Sequence, residues 1–227
     1  IDFVCQHLSL YSMRGCRKRD SPPSLHYQMP WWPFYKKLND LFARETYLLT
    51  QGRFVADILV LHPISSAWTI YSPHDRERVM ELNGELVKLS ENLLKIHRDF
   101  DYGDELLMER HAWAEGGRLK IGRCEYRVVL LPSLPLIKFS TLRLLEEFVR
   151  TGGKLIVLGE PPELVEGVES DELRELMESE GVVRMPFDLE LIAEELPKLV
   201  GPVLEIRDEN GGTAPTVYCQ RLSLIHI

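Results

Sequence analysis

The residues with the most chemistry at short spacing come early in this 227-residue chain. His7 follows an apolar run, then come Ser9, Tyr11, Ser12, Arg14 and Arg17, and after them His26, Tyr27, Gln28, Trp31 and Trp32. Aromatic planes set among hydrogen-bonding groups suit sugars, whose C–H faces stack on rings while their hydroxyls take polar contacts. His7, Tyr11, Arg14 and Trp31 are therefore the expected substrate-binding residues. The structural alternative has Trp31 and Trp32 packing a helix and the arginines holding the loop.

Other familiar site patterns fail on inspection. No G-x-G-x-x-G follows a strand and no Walker loop is present, so nucleotide binding has no support. A nucleophile elbow needs Ser or Cys between glycines just after a strand. The nearest approach is Leu130-Leu131-Pro132-Ser133-Leu134-Pro135, with two prolines and no glycine, which makes Ser133 a loop residue. Cys124 precedes its strand and cannot serve. The four cysteines, Cys5, Cys16, Cys124 and Cys219, form no C-x-x-C, so zinc and redox motifs lack support. Asp99, Asp101, Asp104 and Glu105 could ligate Ca²⁺, but the spacing is not that of an EF-hand, and a solvated loop is the simpler expectation. His97 and His111 read as surface or satisfied histidines.

Composition bounds the rest. A net charge of −8 argues against a nucleic-acid partner. The one basic run, Arg14 to Arg19, is short and interrupted by Gly15 and Cys16. No stretch has the apolar length to span a bilayer, and no signal peptide is visible. A hydrophobic content of 44% is enough for one full core.

The elements that must position these residues follow from periodicity. Ile1–Gln6 reads as a strand, followed by a proline-rich loop. Leu38, Leu41, Phe42, Tyr47, Leu48 and Leu49 mark an amphipathic helix that stops at Gly52. From Arg53 the pattern alternates. Buried strands are expected at Val55–Leu61, Tyr126–Leu131 and Lys154–Leu158. Helices are expected at Asp75–His97, from Ser140 to Gly152-Gly153, near Asp171–Ser179 and near Asp188–Leu199. His62–Pro73 reads as a loop, Glu105–Glu109 as a short strand, and Gly116 to Ile121 as a small hairpin. The alternation predicts an α/β fold with a doubly wound, mostly parallel sheet. Val203–Ile206 and Thr216–Gln220 look like two further strands around a turn.

Both ends read as cuts from a longer protein. The chain opens at Ile1 in what looks like a strand already under way. Leu222-Ser223-Leu224-Ile225-His226-Ile227 continues no earlier pattern and matches the translation of CTG TCT CTT ATA CAC ATC, a transposase-adaptor end used in library preparation. Residues 222–227 are expected to be adaptor-derived and are left out of fold reasoning, and the nucleotide sequence checks this.

Read together, Ile1-Asp2-Phe3-Val4-Cys5-Gln6-His7, Trp31-Trp32, Phe42-Ala43-Arg44, Tyr47-Leu48-Leu49, Gln51-Gly52 and Val55-Ala56-Asp57 resemble the end of the catalytic barrel in glycoside hydrolase family 106, the α-L-rhamnosidases. Asp99-Phe100-Asp101-Tyr102, Gly117-Arg118-Leu119, Tyr126 to Pro132 and Gly152-Gly153-Lys154 are similar to the amidotransferase-like domain that follows the barrel there. Family 42 β-galactosidases share a similar arrangement. The resemblance implies a glycosidase working through paired carboxylates, assisted in the parent enzyme by Ca²⁺. The family's catalytic glutamates lie on earlier barrel strands, so no catalytic residue is assigned here, and no cofactor is expected in this stretch. His7 matches the family's histidine at the end of the last strand and would contact sugar. The Gly15–Pro30 insert departs from the family pattern, which leaves the identity of the sugar open.

The expected organisation is 1–52 as the last β/α unit of a truncated (β/α)8 barrel, and 53–200 as a flavodoxin-like, amidotransferase-like domain without catalysis. Residues 201–221 would open a β-rich domain. The expected partner is a carbohydrate, with neither nucleic acid nor membrane, and the α/β domain is a surface for buttressing the barrel or for homo-oligomers. The rival reading is a stand-alone flavodoxin-like ligand-binding or interaction module with no enzymatic activity.

Overall fold

The structure, a computed structural model, describes residues 27–201 and 204–223, which fall into two compact units. In the first, helix α1 (Trp32–Leu49) starts with a proline in its first turn, where a missing N–H costs nothing. Gly52 follows at φ +78°, and β1 (Arg53–Phe54) pairs antiparallel with Leu222–Ser223.

The second unit, Val55–Arg221, is a layered α/β structure. Its first half runs through β2 (Ile58–Leu61), α2 (Ile64–Ile70), α3 (Glu77–Lys95), β3 (Phe100–Gly103) and α4 (Glu105–His111). An antiparallel three-stranded sheet of β4 (Ala112–Glu115), β5 (Arg118–Ile121) and β6 (Cys124–Tyr126) follows, as the Gly116-Gly117 turn predicts. Then come β7 (Val128–Leu131), β8 (Leu136–Ile137), α5 (Phe139–Arg150), β9 (Lys154–Leu158), β10 (Leu164–Val165) and β11 (Val168–Glu169). The last elements are α6 (Asp171–Glu178), β12 (Val182–Met185) and α7 (Leu189–Val200).

Five strands form a wholly parallel sheet in the order β12-β9-β7-β2-β3. The runs Ile58–Leu61 and Val128–Leu131 are buried at every position, which is why they read as unbroken apolar stretches rather than alternating ones. Ile58, Val60, Val128, Leu130, Ile156 and Leu158 face Leu86, Leu89 and Leu93 of α3 and Ile192 and Leu196 of α7. By the two-residue period, Leu59, Val129, Leu155 and Val157 point to the opposite face, on which α5 lies. Gly153 links α5 to β9 where a Cβ would stand 2.2 Å from the Phe148 ring, so a glycine is required there.

Three local expectations are corrected. The stretch His62–Pro73 is not a loop throughout, because α2 occupies Ile64–Ile70, with the buried Ser66 hydroxyl donating to the Leu136 carbonyl at 2.8 Å. Glu105–Glu109 is helix rather than strand: Asp104 Oδ1 accepts from the amides of Leu106 and Leu107 at 3.0 Å, capping a helix where a strand was expected. The helix expected from Ser140, with that serine as its cap, begins at Phe139 instead, and Lys138 takes the cap position. A fourth expectation also changes: the described residues 204–206 and 216–220 are not strand, and a single antiparallel bridge, Arg207 to Thr213, lies between them. No described helix is long and apolar enough to cross a membrane.

Candidate functional site

Of the four predicted sugar contacts, His7, Tyr11 and Arg14 lie outside the described residues. Trp31 is placed at the N-terminal boundary of α1 with its ring about half exposed, and next to it Trp32 stacks on Tyr35 at 5.4 Å between centroids. Both tryptophans are partly exposed at the start of the helix, which buries none of its residues.

In the second unit, a crevice of about 380 Å³ opens beyond the carboxyl ends of β7 and β9, where parallel α/β sheets bind ligands. Arg78, Glu81 and Glu85 of α3 line one side, and Ser133, Glu160 and Glu163 of the loops after β7 and β9 line the other. The apolar wall includes Ile70, Leu82, Leu134 and Leu164. Ser133 Oγ donates to the Leu158 carbonyl at 3.2 Å. Gly159, at φ +79°, carries the chain past that hydroxyl, and a Cβ there would stand 2.3 Å from Oγ. A nucleophilic serine needs a base to take its proton. The crevice lining holds neither His nor Cys, and the Ser133 proton is committed to a backbone carbonyl. The crevice sets a carboxylate-rich polar lining beside an apolar wall, with the Ser133 hydroxyl already engaged.

The acidic group Asp99, Asp101, Asp104 and Glu105 does not gather around a point; each carboxylate has its own structural task. Asp99 Oδ2 accepts from the Arg221 amide at 2.8 Å, and Asp101 Oδ2 from the Tyr126 hydroxyl at 2.8 Å. Asp104 caps α4, and the buried Glu105 accepts from the Lys138 amide at 2.8 Å. Burial raises the Asp99 carboxyl above its ordinary range, against the lowering effect of Arg221. Burial and then the Asp101 carboxylate push the Tyr126 phenol upward. Among the described residues, no three His, Cys, Asp or Glu side chains are placed to hold a metal ion.

A second polar site was not anticipated. His97, Arg98 and Asp99, just after α3, anchor the segment 204–221. His97 is 4% exposed and sits at φ +57°, a left-handed conformation uncommon for a residue with a Cβ. Its Nδ1 accepts from the Ile206 amide at 3.3 Å, so Nε2 carries the proton, aimed at the carbonyls of Ala214 (3.1 Å) and Val217 (2.9 Å). Arg98 Nη1 donates to Leu204 O at 3.2 Å. Arg221 Nη2 donates to Asp57 Oδ2 at 2.8 Å. His97 is therefore satisfied, as expected, but buried rather than on the surface. Its partners lie more than a hundred positions away, and no local pattern announces them.

No protein-family model matches the chain, and no curated protein matches it. Among solved structures it is similar to a rhamnosidase from Novosphingobium sp. PP1Y, with 18% identity and a TM-score of 0.51 over 83% of this chain and 18% of that one. It is also similar to a catalytic mutant of a GH42 β-galactosidase from G. stearothermophilus (16% identity, TM-score 0.42, 61% of this chain and 19% of that one). A β-galactosidase from Rahnella sp. R3 matches at 13% identity and a TM-score of 0.42, over 63% of this chain and 19% of that one. The chain thus spans about a fifth of the length of these proteins. Over 83% of its length it shares its fold with part of the rhamnosidase.

Proposed function

We propose that the chain is a piece of a glycoside hydrolase of the α-L-rhamnosidase type, family 106, acting on O-glycosidic bonds of an oligosaccharide or polysaccharide. The observation that carries this reading is the fold shared with the Novosphingobium rhamnosidase over 83% of the chain. Residues 1–52 would close the catalytic barrel, with His7, Tyr11, Arg14 and Trp31 facing the sugar. Residues 53–200 would form a flavodoxin-like domain, and 201–221 would lead toward a β-rich one. Numbered among themselves, the five parallel strands run 2-1-3-4-5, the flavodoxin-like order. That domain would be non-catalytic, which the engaged Ser133 hydroxyl supports. The acid and base would come from elsewhere in the parent enzyme, together with any Ca²⁺.

Recovering the coding region upstream of Ile1 tests the reading, and its codons for 222–227 test the adaptor origin of that tail. The parent enzyme should hydrolyse an aryl α-L-rhamnoside, and His7→Ala in it should lower kcat/KM at least tenfold. The 227-residue chain alone should leave the same substrate intact. A coding region that starts near Ile1, without preceding β/α units, would overturn the assignment.

A further inference from the structure

Beside the segment 204–221 lies a small cavity of about 20 Å³, lined by Arg98, Asp99, Leu204, Cys219 and Arg221 among others. One water requires roughly 10–15 Å³ and two to four polar partners. The Arg98 side chain is 2% exposed and most of its nitrogens are engaged: Nη1 reaches the carbonyls of Ile96, His97 and Leu204, and Nη2 lies 3.9 Å from Glu205. Its Nε is buried with no protein group in hydrogen-bonding reach. Buried donors of this kind are nearly always satisfied, by protein or by ordered water.

We propose that this cavity is a binding site for a single water molecule that accepts from Arg98 Nε and donates to the Asp99 carboxylate. Asp99 uses Oδ2 for the Arg221 amide, which leaves its other oxygen to accept. The charges around the cavity balance, with Arg98 and Arg221 against Asp57 and Asp99, so a neutral occupant suits it better than an ion. The water bridges Arg98 and Asp99, just after α3, where the buried Arg98 Nε has no direct partner. The inference does not depend on the proposed enzymatic role.

The test uses the full 227-residue chain, labelled with 15N, and reads the Arg98 Nε–H resonance. A cross-peak at the water frequency with opposite signs in NOE and ROE spectra is expected, because the water is held rather than exchanging. Cys219→Leu, which fills the cavity, should abolish that cross-peak while Nε–H stays slow to exchange. Absence of the cross-peak in the parent chain overturns the proposal, as does its persistence in Cys219→Leu. A shift of the resonance on replacing chloride by sulfate makes the occupant an anion and overturns it equally. Should Cys219→Leu lose its dispersed spectrum, density at hydrogen-bonding distance from Nε in a crystal of the parent chain decides, and its absence sinks the idea.

Discussion

Replacing Gly153 by Ala isolates one cause of instability. The added methyl would stand 2.2, 2.4 and 2.5 Å from three carbons of the Phe148 ring. Phe148 is fully buried between α5 and the sheet and has nowhere to retreat. Gly153 is not among the positive-φ glycines, so the penalty is steric and not conformational. Overpacking of a closed core costs about 1–3 kcal/mol. At roughly 2–4 °C per kcal/mol for a chain of this size, the unfolding midpoint should fall by about 4–8 °C for a cost near the middle of that range. Gly84→Ala is the matched control: it lies within α3 with no atom within 4 Å of the new methyl. There, alanine should stabilise by about 0.4–1 kcal/mol through helix propensity and a less flexible unfolded chain. Thermal unfolding followed by circular dichroism reads the temperature shift, and in urea the midpoint should move with the slope unchanged. Adding Phe148→Leu to Gly153→Ala should recover part of the loss, a coupling of about 0.5–3 kcal/mol. The reasoning fails if Gly153→Ala is as harmless as Gly84→Ala, or if the two substitutions in contact add independently.

Two further predictions concern titration. The raised Tyr126 phenol binds its proton more tightly folded than unfolded, so its contribution is complete below the unfolded value near 10 and is lost as pH climbs through the folded one. Absorbance at 295 nm should show a phenol that ionises late, and Tyr126→Phe should remove that step while costing about 1–3 kcal/mol for the unmet Asp101 carboxylate. Asp99 is also raised, chiefly by burial, so its ionised form is disfavoured by folding. The fold then gains most from this group in acid, below the unfolded value near 3.9, and loses the gain as pH rises through the folded one. Asp99→Asn, whose amide oxygen can still accept from Arg221, should therefore raise the unfolding midpoint at neutral pH, and the advantage should shrink in acid. A lower midpoint for the Asn variant at pH 7 would contradict the assignment.

Much of the second unit was legible because its strands are apolar on both faces and its helices keep a regular stripe. Ile58–Leu61, Val128–Leu131 and Lys154–Leu158 announce themselves, as do α3, α5 and α7. The elements that escaped are short. Glu105 to His111 spans two turns, too little for a helical period to separate from a strand, and its cap at Asp104 looks like one more acid in a cluster. At the outer strand of the sheet, β12 is four residues with Arg184 among them, so no apolar run marks it. Ser133 was read correctly as an ordinary loop residue because its flanking prolines cannot make an elbow. The anchoring by His97, Arg98 and Asp99 could not be read, since bonds from position 97 to 206, 214 and 217 leave no trace in local spacing.

Arg221 stitches the close of the second unit to its opening: its carbonyl accepts from the Val55 amide at 3.1 Å and its guanidinium holds Asp57 at 2.8 Å. A fold whose entry and exit are neighbours can sit as an insertion in a host polypeptide without forcing the host's flanking strands apart. Evolution could therefore graft, swap or delete such a cassette as a whole, and its surface could drift while the host kept its chemistry.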